Sequence, residues 1–152
     1  MTGGDRAVSP VFSYVLTLGI TTILIVGLLV AATGYVDDQR RQTTENQLQV
    51  IGQQLSADIS AADRLARTNG AEDVAIRRDL PDRIVGSSYT ITVKNDSNGP
   101  TEYYLELSTP RPDVTVTIGI ASMTDLATNG VGGGEVVVSY DSADDELEVS
   151  NE

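Results

Sequence analysis

Residues 15–36 read VLTLGITTILIVGLLVAATGYV, and no charged residue occurs anywhere from Ala7 to Val36. Taken from Val11, the apolar run is about 26 residues, a helix of ~39 Å against a hydrocarbon core of ~30 Å. A helix that is apolar on every side has to be enclosed by protein or by lipid. The rest of a 152-residue chain holds too little apolar sequence to enclose it. The run therefore predicts one membrane-spanning helix over residues 8–36.

Ser9-Pro10 supplies the expected start of that helix. Proline is tolerated at the first helical position, where its missing N–H would be unpaired anyway, and serine just before it is a good N-cap. Because a residue preceding proline is pushed out of the α region, Arg6-Ala7-Val8-Ser9 is expected to be extended.

Beyond the span, Leu48, Ile51, Leu55, Ile59, Ala62 and Leu65 recur every three or four residues, which places one apolar stripe on an amphipathic helix over 37–69. With no proline in between, Pro10 to Thr68 can be a single helix of about 59 residues, ~90 Å long. Asn69-Gly70 is its natural stop. Gly52 weakens the second part by about 1 kcal/mol relative to alanine, so a bend is expected near it.

Residues 70–82 (GAEDVAIRRDLPD) read as a linker, or a short strand stopped by proline. After it the period becomes two. Tyr89, Ile91 and Val93 form one alternating run, Tyr103, Leu105 and Leu107 a second, and Val114, Val116, Ile118 and Ile120 a third. EVVVSYD follows the glycine-rich TNGVGGG, and ELEVS closes the chain. The expected fold class is α+β: a long N-terminal helix followed by a small antiparallel meander of four or five strands over 83–152, covered by the amphipathic stripe.

Composition narrows the chemistry. There are 22 acidic and 10 basic residues, a net charge of -12, and Lys94 is the only lysine. So acidic a chain is a poor partner for nucleic acid, and its lysine scarcity fits a salt-adapted, halophilic surface whose carboxylates stay hydrated. Cysteine and histidine are absent, which removes disulfides, the commonest nucleophile–base pairs and the usual transition-metal ligands. No enzymatic activity, cofactor or metal is expected. VGGG lacks the lysine and following helix of a phosphate loop and reads as a flexible hairpin loop. The carboxylates of Asp141–Glu146 lack EF-hand spacing and read as a solvated turn. Asn95-Asp96-Ser97 fits the N-glycosylation acceptor pattern in a predicted turn. Gly27 and Ala31, with Gly19 and Gly34, are small sites of the kind that let helices approach closely in lipid.

Arg6-Ala7-Val8-Ser9-Pro10-Val11, leading into an unbroken apolar helix, resembles the N-terminus of haloarchaeal type IV pilins. In that family a basic residue and a small residue precede Val-Ser-Pro-Val-Ile-Gly, and prepilin peptidase cuts after the small residue. The resemblance implies a class III signal peptide over residues 1–7, with Arg6, Ala7 and Val8 forming the cleavage site. Phe12-Ser13 stands here in place of Ile-Gly. The specific likeness covers about Asp5 to Val36, and it implies a pilin-like, minor rather than major, subunit. Such a subunit would be stored in the membrane and assembled with other pilin-like subunits into a surface filament, with a role in adhesion or filament assembly.

Two other fates fit the same residues. Val30-Ala31-Ala32 satisfies the small-x-small rule of signal peptidase, which would release the chain from Thr33. The chain could also remain an uncleaved single-span protein with a β-rich binding or structural head. Arg6 on one side and Arg40 and Arg41 on the other do not decide orientation by charge. The resemblance implies a cytoplasmic N-terminus and an extracellular head.

Overall fold

A computed structural model describes residues 8–69, 74–95 and 103–152. The chain divides into two compact units, Met1–Gln39 and Arg40–Glu152. One helix, α1 (Val8–Asn69), runs through 62 residues. It begins two residues before the expected Pro10, so Val8 and Ser9 are helical rather than extended. The first four N–H groups of a helix have no intrahelical acceptor, so Pro10 costs no hydrogen bond anywhere in the first turn. α1 continues unbroken through Gly52, whose place in the fold is a packing one.

In the second unit α1 buries Leu48, Ile51, Leu55, Ile59, Ala62 and Ala66. Leu65, expected on this stripe, is 47% exposed. The core face steps 55, 59, 62, 66, and 65 falls about 100° away from 66 on the helix. Gly52 is buried among these residues, and a Cβ built on it would lie 2.7 Å from Ile118 Cγ1 and 2.9 Å from Leu107 Cδ1. The missing side chain lets the helix sit against the sheet. Gly52→Val is expected to destabilise the head by about 1–3 kcal/mol through overpacking, read as a lower urea midpoint with an unchanged slope.

Among the described residues eight strands follow: β1 (Ala75–Leu80), β2 (Thr90–Asn95), β3 (Tyr103–Pro110), β4 (Asp113–Ile120), β5 (Asp125–Leu126), β6 (Gly130–Gly132), β7 (Gly134–Asp141) and β8 (Glu146–Asn151). They form two four-stranded sheets, β1-β7-β8-β5 and β4-β3-β2-β6, rather than one meander. All pairings are antiparallel except β5 with β8. Inward positions alternate as the period of two requires: Ile91 and Val93, Leu105 and Leu107, Val136 and Val138, Leu147 and Val149. Together with the α1 stripe they make one hydrophobic cluster.

The division into two sheets happens in the glycine-rich segment. TNGVGGG is not a flexible hairpin loop: Gly130–Gly132 pairs with β2, and Gly134 already pairs with Leu80 of β1. The chain therefore passes from one sheet to the other at Gly133. Asn129 binds the sheets across this step. Its carbonyl accepts the Val93 N–H at 2.9 Å, and its Nδ2 donates to the Val149 carbonyl at 2.6 Å. Of the two readings of residues 70–82, the short strand stopped by proline is the one found: β1 ends at Leu80, just before Pro81. Its apolar alternation is faint because an inward position is Arg78, neutralised by Asp58 of α1.

Candidate functional site

From Val11 to Val36 every side chain is exposed, large apolar ones included. Within the described residues this is the one helix long and apolar enough to cross a membrane. Its threonine hydroxyls are satisfied locally. Thr17, Thr21, Thr22 and Thr33 donate their hydroxyls to the carbonyls of Ser13, Thr17, Leu18 and Leu29, at 2.8–2.9 Å. In hydrocarbon no water would be there to take those hydrogens. Gly19, Gly27 and Gly34 open onto empty space. They leave shallow sites where another helix can approach.

Of the processing residues, Val8 is the first helical residue, and Ser9 and Pro10 continue the helix backbone. Arg6 and Ala7 lie outside the described residues. Asn95 ends β2 opposite Tyr103 and is exposed, while Asp96 and Ser97 of its tripeptide lie outside the described residues. Asp141–Asp145 is exposed at the turn of the β7–β8 hairpin, and Glu146, half-buried, begins β8. No group of three or more carboxylates converges as a metal site among the described residues.

Two carboxylates on the core face of α1 escape sequence reasoning. Asp58 accepts from Arg78 Nε at 2.7 Å and from its Nη2 at 2.5 Å, a fork-to-carboxylate pair joining α1 to β1. Asp63, with its side chain only 5% exposed, holds the loop between β4 and β5. Its Oδ1 accepts the Thr124 hydroxyl at 2.7 Å, the Thr124 N–H at 3.0 Å and the Met123 N–H at 3.3 Å, and Arg67 donates to Oδ2 at 2.9 Å. Ser56 and Ser60 add hydroxyl bonds to the Gly119 and Ala121 carbonyls. The readable signal was an aspartate at a position where the apolar stripe demands an inward side chain.

Burial alone would raise the Asp63 pKa. The Thr124 hydroxyl, the Thr124 and Met123 amides and Arg67 outweigh it, so the group sits below its ordinary carboxylate value. A depressed folded-state pKa contributes stability above the unfolded value, and that contribution is lost as pH falls through the folded one. Asp63→Ala is expected to cost about 1–3 kcal/mol near neutral pH by orphaning these donors. The gap between wild type and variant, measured by urea unfolding, is expected to narrow as pH falls below the ordinary carboxylate range.

No curated protein and no solved structure matches the chain. The profile of a family of unknown function, DUF7266, matches residues 3–152. This is nearly the whole chain, and the protein belongs to that family.

Proposed function

We propose that the protein is a type IV pilin-like subunit, minor rather than major, stored in the membrane and assembled into a surface filament through its N-terminal helix. The observation that carries the reading is the apolar surface of Val11–Val36, exposed among the described residues, on the helix that farther on supplies the head's core face. Lipid covers that surface in the stored precursor. Neighbouring subunits cover it in the filament, using the small sites at Gly19, Gly27 and Gly34.

Prepilin peptidase is the partner that converts one state to the other, by cutting between Ala7 and Val8. The short N-terminus is cytoplasmic and the head extracellular. There Asn95, exposed at the end of β2, is an available acceptor for N-glycosylation. A role in adhesion or in filament assembly follows from the head's place outside.

The test is recovery of the protein from sheared surface filaments of cells that contain the peptidase. Wild type is expected in the sheared fraction, and Ala7→Leu, which spoils the small residue before the scissile bond, is expected only in the membrane. Finding both equally in the membrane, with none in sheared material, would leave the uncleaved single-span reading in its place.

A further inference from the structure

Two surfaces of the head carry opposite charge, and neither has an ion-pair partner among the described residues. The first is a cleft of about 410 Å³ lined by Arg83, Gly86, Ser87, Ser88, Pro110 and Arg111. Ion pairs among the described residues occupy Arg67, Arg77, Arg78 and Lys94. Neither Arg83 nor Arg111 joins one, although Asp82 and Asp113 are close in sequence. In a chain with 22 acidic and 10 basic residues, carboxylates are plentiful. Two unpaired guanidiniums lining one cleft are thus set for an anion from outside, and their planar forks favour carboxylates.

The second surface is the β7–β8 turn, with Asp141, Asp144, Asp145 and Glu146. The turn is held in shape: Asp141 Oδ1 accepts the Ala143 N–H at 2.8 Å, and Tyr140 donates its hydroxyl to Asp145 Oδ1 at 2.6 Å. Asp144 and Glu146 form no ion pair within the described residues.

Topology keeps the two surfaces apart. Arg83 follows the end of β1, where Leu80 pairs with Gly134 at the start of β7, while the acidic turn follows Asp141 at the end of β7. Eight residues of strand separate them, ~23 Å at the usual rise. They cannot meet within one chain. Between two copies they can, and each copy would then offer one donor surface and one acceptor surface.

We infer that the arginine cleft receives the acidic β7–β8 turn of a second copy of this chain. The contact is heterologous, so each copy that accepts a turn still presents its own, and the association propagates instead of closing as a two-fold dimer. Because copies of net charge -12 repel one another, a local pairing of this kind also fixes their relative orientation. Both surfaces lie within residues 83–146, so the inference holds whether or not the N-terminus is cut.

The absence of cysteine gives a clean test on the full chain in detergent micelles. Ser88→Cys, in the cleft, mixed with Ala143→Cys, in the turn, is expected to give a disulfide-linked pair in much higher yield than either variant alone. Adding R83E/R111E to the first, or D144R/E146R to the second, is expected to lower that yield about tenfold or more. Combining both reversals is expected to restore it, and a change that merely unfolds the head would not. Circular dichroism of each variant separates misfolding from lost contact. Yields indifferent to charge reversal, or no restoration between two natively folded reversed variants, would overturn the inference. So would unchanged cross-linking accompanied by R83E/R111E losing affinity for anionic lipid vesicles, which would assign the cleft to headgroups.

Discussion

Gly133→Ala is expected to destabilise the head by about 2–3 kcal/mol, among the largest effects of a single methyl anywhere in the chain. A Cβ at this position would lie 2.5 Å from the Pro81 carbonyl oxygen and 2.8 Å from the Tyr89 ring. Neither neighbour can give way cheaply. The Pro81 carbonyl directly follows Leu80, which is fixed by its pairing with Gly134, and Tyr89 is buried at 3% exposure, its phenol pKa pushed up to about 12 by burial and by Asp82. The chain crosses between sheets here, so relief by movement would unpair β6 from β2 or β7 from β1. Gly132→Ala, one residue earlier, meets nothing within 4 Å and is expected to change stability by less than about 0.5 kcal/mol. Paired urea titrations of the full chain in detergent, followed by near-ultraviolet circular dichroism of the tyrosines, measure the difference.

Leu55→Ala is expected to cost about 3 kcal/mol, the sum of lost transfer energy and a residual cavity. Leu55 is fully buried in the cluster that α1 shares with both sheets. The cavity would open at the middle of the stripe, between Ile51 and Ile59, where a rigid helix can collapse least. Leu65→Ala, the same substitution ten residues on, removes a side chain that is 47% exposed and is expected to cost under about 1 kcal/mol. The contrast tests which face of α1 is structural. Equal effects would mean that the helix is rotated about its axis relative to the arrangement described.

The long helix was legible because both of its signals are strong: absence of charge over thirty positions, then a stripe at a spacing of three and four. The stripe went astray only at its end, where Leu65 and Ala66 are adjacent and the larger residue was preferred over the one in phase. Strands β2, β3 and β4 were legible from clean alternation, and β7 and β8 as the two runs after the glycine-rich segment. β1 was legible only as one of two readings of residues 70–82, because the inward Arg78 breaks the apolar pattern and is compensated by Asp58, twenty residues away in sequence. The two-sheet arrangement was hidden as well. Glycines at 130–134 look like slack chain when read locally, whereas Gly133 is there because a carbonyl and an aromatic ring approach its backbone.

The same limit applies to the surfaces proposed to carry function. The apolar span declares itself in sequence, since hydropathy needs no partner to be read. Asp63 and the cleft between Arg83 and Arg111 depend on residues that only the fold brings together. What the span is for turns on a few residues before it, and there one bond separates the possibilities.

That bond is tested by the N-terminal residue of the mature protein, determined by mass spectrometry on material from cells that contain prepilin peptidase. A subunit released for filament assembly is expected to begin at Val8. A chain beginning at Met1 would contradict the account and leave a resident single-span protein. One beginning at Thr33 would contradict it in favour of secretion.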